Sequence, residues 1–265
     1  MSRSQQAELE RIYKRMSREH EKLTDAEVAF AIREIGRVRG DVADLLADFA
    51  DSDSVIKRQR LSRLLRELDA VERSIRTEGT AVLTDAIRKS AEYTTEGVNG
   101  AMIAAVGAPM VSANIERLNR EIVNYVVRRF GDDGLVLSDR VWGTAGDIRD
   151  AIGASLRSDI LRGETVATMT KNVRQVYDNE TWKIKRLVHT ERMTAYRAAS
   201  AMSVQRSDVV EWVELIDNGA RHRNHSAHAC YKLARENRYG RGAGVFKPTH
   251  STTSDRCTLI ADAAR

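Results

Sequence analysis

Six side chains near the carboxy terminus have the types and spacing to hold a metal ion. They are His222, His225, His228 and Cys230 within RHRNHSAHAC, then His250 and Cys257 within PTHSTTSDRC. Thiolate sulfur and imidazole nitrogen suit Zn²⁺, and four such donors converging on one tetrahedral point make a closed, structural site. Of six histidines and two cysteines in the chain, only His20 and His189 fall outside these runs. The expected ligands are His225, Cys230, His250 and Cys257, with His222 and His228 as alternates that the spacing leaves open. Joining the two runs through an ion closes a loop of roughly twenty to thirty residues, so binding would supply much of that unit's folding energy. Two cysteines among histidines suit a metal site better than a disulfide framework, which implies a reducing compartment during synthesis.

The same histidines raise a second chemistry. A His-metal nuclease needs one histidine as general base, and another with a carboxylate on a metal aimed at phosphate. His225 and His228, with Asn224 beside them, have the letters for it. The carboxylates in reach are Asp217, Glu236 and Asp255, and no spacing singles one out. A structural zinc site without catalysis is therefore the expectation, and the nuclease is its alternative.

Charge separates along the chain in the same way. Residues 221–265 hold nine Lys/Arg against three Asp/Glu, whereas everything before them holds 34 against 35, so the whole net charge of +5 comes from the tail. Arg221, Arg223, Lys232, Arg235, Arg238, Arg241, Lys247 and Arg256 could track a phosphate backbone without reading sequence. Tyr231, Tyr239 and Phe246 interleave with them. Nonspecific binding of double-stranded DNA is expected. A zinc-dependent DNA-binding regulator is a further alternative, but no helix-turn-helix spacing or basic region beside the N-terminal helices supplies its recognition element.

The elements that must carry this tail read as helices. Two prolines in 265 residues leave little to interrupt them. Thr24-Asp25-Ala26-Glu27 reads as a capping box. Val28, Ile32, Ile35, Val38, Val42, Leu45 and Phe49 then form one helical stripe. Asp51-Ser52-Asp53-Ser54 supplies a turn, and Leu61, Leu64, Leu68, Val71, Ile75, Leu83 and Ile87 continue in a helix from about 54 to 94. An elongated N-terminal hairpin or bundle over 1–94 follows, with a helical face suited to self-association.

Between Glu96 and Glu116 lie nineteen uncharged residues rich in Gly, Ala, Ser and Asn, a connector at 95–116 that meets a membrane only conditionally. Residues 117–208 return to helix. Ile122 to Val127 give one apolar face, Gly131-Asp132-Asp133-Gly134 breaks it, and Ser138 caps the next helix. That helix ends at Arg162-Gly163. Helices at Thr165–Val176 and Trp182–Val204 follow, and alanines 195, 198, 199 and 201 predict close packing. Val209 to Ile216 and Thr258 to Ile260 read as strands within a small α+β unit at 209–265. The fold class is mainly α, with that metal-stapled unit appended. The amino terminus has no apolar signal-peptide core.

The order of short motifs adds to this reading. Ser138-Asp139-Arg140-Val141-Trp142, Leu161-Arg162-Gly163-Glu164-Thr165, His189-Thr190-Glu191, then Trp212 and Asp217 follow one another. Phe246-Lys247-Pro248-Thr249-His250 and Arg256-Cys257-Thr258-Leu259 close the series. Over about 135 to 260 the chain resembles the Mu F-like minor head proteins of tailed phages, also called head morphogenesis proteins. It departs from them at His189, where the family has arginine, and in its ending, where a first cysteine is missing and Ser251 to Asp255 lengthen the gap. The resemblance puts His250 and Cys257 forward as ligands. It implies a non-enzymatic minor capsid protein, made in the host cytoplasm and held inside the head at the portal vertex. There it would assist head assembly, DNA packaging or DNA ejection, with the portal protein and viral DNA as partners.

Overall fold

With proline nearly absent, the backbone hydrogen-bond ladder runs on for long stretches. A computed structural model describes residues 2–112, 114–131, 133–217, 239–240 and 257–263, the stretches 211–217, 239–240 and 257–263 by their backbone alone. The protein is mainly helical. Its helices are α1 (Arg3–Ile35), α2 (Val38–Phe49), α3 (Leu61–Val106), α4 (Ile115–Arg128), α5 (Leu137–Arg162) and α6 (Val166–Gln205). Strands β1 (Val210–Asp217), β2 (Tyr239–Gly240) and β3 (Cys257–Ala263) form an antiparallel sheet in the order β2-β1-β3. No described helix is long and apolar enough to cross a membrane.

The chain divides into two compact units. The first comprises Met1–Asp25, Ala86–Val126 and Thr190–Arg265, and the second Ala26–Asp85 and Val127–His189. In the first, Leu9, Tyr13 and Met16 of α1 are buried with Ile87, Val98 and Met102 of α3. Leu118, Ile122 and Val126 of α4 are buried as well. Alanines 195, 198, 199 and 201 of α6 are all buried, as the spacing predicts for a tightly packed helix. In the second unit, Val38, Val42, Leu46 and Phe49 of α2 are buried, as are Leu64, Leu68, Val71 and Ile75 of α3. Val141, Ile148, Ile152 and Leu156 line the buried face of α5. The buried residues named in α2, and those from Leu64 to Ile75 in α3, recur at three- and four-residue steps, the period of a helix face.

Several element boundaries differ from the sequence expectation, each for a local reason. Helix α1 passes straight through Thr24–Glu27, because the Thr24 hydroxyl is buried and donates to the His20 carbonyl at 2.8 Å. The stripe from Val28 to Phe49 is broken at Gly36-Arg37, and beyond the break Leu46 is buried instead of Leu45. Helix α3 begins at Leu61, not near 54. The Ser54 carbonyl accepts the Val166 amide at 2.9 Å and Val55 bridges Thr165, which holds this segment extended. At its other end α3 continues through the uncharged stretch to Val106, and the Asn99 side chain accepts the Val111 amide at 2.8 Å as the chain turns back.

Two caps also differ. The N-cap of α5 is Val136, whose amide donates to the Asp139 carboxylate at 3.4 Å, so Ser138 lies inside the helix. Helix α6 has no gap between Val176 and Trp182. Tyr177 is buried there, and its hydroxyl donates to the Ile32 carbonyl at 2.9 Å. The end of α5 is where Arg162-Gly163 predicts it. Gly163 is left-handed, φ 75°, and its amide donates back to the Ile160 carbonyl while the Glu164 amide donates to Asp159. That is a conformation glycine adopts without the steric cost of a Cβ.

Candidate functional site

Within the first unit the buried stripe of α1 carries polar residues. Tyr13, Met16, His20 and Thr24 follow one another at three- and four-residue steps, all buried. The His20 ring lies 4.6 Å from the Tyr196 ring of α6 and 5.9 Å from the Tyr93 ring of α3, centroid to centroid. Its Nε2 stands 2.7 Å from the Ser90 hydroxyl, and that hydroxyl donates to the Arg192 carbonyl at 2.9 Å. Ser90 and Arg192 are themselves buried, as is Glu191. The Tyr93 hydroxyl shares its one hydrogen between the Met16 carbonyl and the Glu19 carboxylate, each at 3.2 Å. Three helices are thus tied at one polar point.

A serine hydroxyl beside an imidazole is the arrangement a nucleophile and its base share. The protons decide otherwise. Ser90 has a single hydroxyl hydrogen, and it is used on the Arg192 carbonyl. The hydroxyl is then an acceptor toward His20 Nε2 when that nitrogen carries a hydrogen. With its proton given to a backbone carbonyl, Ser90 serves here as a tie between α1, α3 and α6. Burial disfavours ionisation of the surrounding phenols. Tyr93 is pushed up to about 12 by burial and by its bond to Glu19, and Tyr13 and Tyr196 are raised by burial above the ordinary tyrosine range. The signal for this junction is a histidine and a threonine inside an otherwise apolar stripe; the partner seventy positions away leaves no local trace.

The motifs that carry the resemblance occupy defined places. Ser138 to Trp142 form the first turns of α5, and Leu161 to Thr165 are the turn from α5 to α6. In that turn the buried Asp159 carboxylate accepts Arg162 at 2.5 Å and Asn172 at 3.0 Å. Trp142 is half-exposed, and the Arg76 guanidinium stands 4.3 Å from its ring centroid. His189 and Thr190 lie in α6, directly before the buried Glu191 and Arg192.

Of the expected metal donors, His222, His225, His228, Cys230 and His250 lie outside the described residues. So do the basic residues Arg221, Arg223, Lys232, Arg235, Arg238, Arg241, Lys247 and Arg256. Cys257 opens β3, where its Cα partner across the ladder is Asp217, the last residue of β1. The runs bearing the other donors are joined to the chain at these two facing positions. Sulfur and imidazole in that run are the donor chemistry zinc takes. Among the described residues no three His, Cys, Asp or Glu are grouped to hold an ion. No protein-family model, curated protein or solved structure matches this chain.

Proposed function

We propose that the chain is a minor head protein of a tailed phage, bound at the portal inside the head, where it assists assembly and the passage of DNA. The observation that carries this reading is the order of motifs from Ser138 to Leu259, set beside a net charge that resides wholly in the tail. A mainly helical body supports it, since long amphipathic helices offer broad faces for docking on a ring of portal subunits or on sister copies. The basic tail, stapled by a zinc ion through donors drawn from His222, His225, His228, Cys230, His250 and Cys257, contacts duplex DNA through its phosphates. The ion is structural in this reading, and the domain works by binding.

Mass spectrometry of purified particles of the phage that encodes the chain tests the proposal. The expected result is the chain at a few copies per particle, retained after surface proteolysis. Its absence from finished particles and from assembling heads would overturn it.

A further inference from the structure

We infer that a depression at the bend between α1 and α2 binds a phosphate group. It is a shallow, solvent-open depression of about 500 Å³ lined by Gly36, Arg37, Arg39, Gly40 and Arg174, three arginines and two residues without side chains. All five belong to the second compact unit.

The bend is built to seat Arg39. A Cβ on Gly36 would stand 2.6 Å from the Ile32 carbonyl oxygen, so only glycine fits, and the guanidinium folds back onto the backbone it leaves open. Arg39 Nε donates to the Gly36 carbonyl at 3.1 Å and Nη1 to the Asp178 carboxylate at 3.1 Å. Its guanidinium lies 5.1 Å from the Tyr177 ring centroid, and Tyr177 is itself pinned to the Ile32 carbonyl. A guanidinium carries five N–H donors, so these bonds orient Arg39 and leave donors over. Arg37 is steered by Glu34 at 2.9 Å with most of its side chain exposed. Arg174 precedes Asp178 by one helical turn, and no carboxylate among the described residues pairs with it. At Gly40 an added Cβ meets nothing within 4 Å, so the floor is open.

Three guanidiniums against Glu34 and Asp178 leave the depression positive. Forked donors arriving from three side chains suit the several oxygens of a tetrahedral phosphate better than the two of a carboxylate. Free phosphate and the backbone of a nucleic acid share that chemistry. The inference is independent of the proposed function.

Isothermal titration of the full chain with inorganic phosphate tests it, followed by titration with a short DNA duplex at the same salt. Saturable phosphate binding is expected. Arg174→Ala should weaken it about tenfold, the loss of one charge-assisted contact, and Gly40→Glu should abolish it while favouring the helix. Arg157→Ala, at an exposed arginine of α5 outside the depression, should leave it unchanged. If duplex binding falls with Arg174→Ala as well, the site takes backbone phosphates; if it does not, the ligand is the free anion. Absence of saturable phosphate binding, or equal losses in all three variants, overturns the assignment.

Discussion

His20 Nε2 stands 2.7 Å from Ser90 Oγ, and both groups are sealed from water between α1, α3 and α6. Because Ser90 passes its proton to the Arg192 carbonyl, one hydroxyl satisfies two buried partners. Replacing it by hydrogen takes the partner from His20 Nε2 and removes the second donor on the Arg192 carbonyl, which lies within the ladder of α6. Ser90→Ala should cost about 2–3 kcal/mol, the penalty for leaving buried polar groups unmade. Urea unfolding would read this as a lower midpoint at unchanged slope. A midpoint equal to that of the parent would mean the junction is not a tie.

A glycine inside α5 and the glycine that caps it should respond in opposite directions. Gly163 is left-handed at φ 75°, so Gly163→Ala should destabilise by about 1 kcal/mol. Gly143 lies inside the helix with open space where a Cβ would go, so Gly143→Ala should stabilise by about 0.5–1 kcal/mol. Thermal unfolding of the two variants in parallel checks the sign of each.

Alkaline titration of four phenols should be delayed and coupled to unfolding. Tyr93 and Tyr177 are pushed up to about 12, chiefly by burial, and Tyr13 and Tyr196 are raised further, all from an ordinary value of 10.0. The neutral phenol is the favoured form in the folded chain. Their contribution is therefore fully present below pH 10 and is lost as pH rises through the folded values. Phenolate absorbance should show these four phenols ionising only above the ordinary range, together with loss of helix. Their ionisation at the ordinary value with the helices intact would contradict the burial.

Metal removal should separate tail from body. The described helices contain no three grouped donors, so a chelator should leave the far-ultraviolet helical signal intact while zinc is released and duplex DNA binding weakens. Cys257→Ser should lower the zinc content of the purified chain in the same way. A chain purified without zinc, binding duplex equally well, would remove the staple from the account.

Much of the helical body was legible. Leu64, Leu68, Val71, Ile75, Leu83 and Ile87 recur at helical steps and all are buried, and the glycine after Arg162 does end α5. The failures have two causes, burial inside a continuous helix and tertiary contact overriding a local signal. Thr24 has the letters of a cap, yet it is buried and its hydroxyl serves the His20 carbonyl one turn back in the same helix. Tyr177 to Thr181 look like a break, yet Tyr177 is buried and bonded to Ile32, 145 positions away. Ser54 looks like a helix start, yet its carbonyl is taken by Val166. The arginine depression was illegible for the same reason, since Arg174 meets Gly36 to Gly40 only through the fold. The expected donors and basic residues of the tail, Cys257 apart, lie outside the described residues.

The most direct test of the account is the mass of the complex formed when the full chain is mixed with the portal protein of the phage that carries it. Native mass spectrometry should find the portal ring carrying a small, fixed number of copies of this chain, held at moderate salt. A portal ring that stays bare at all ratios, with the chain sedimenting alone, would contradict the proposed role.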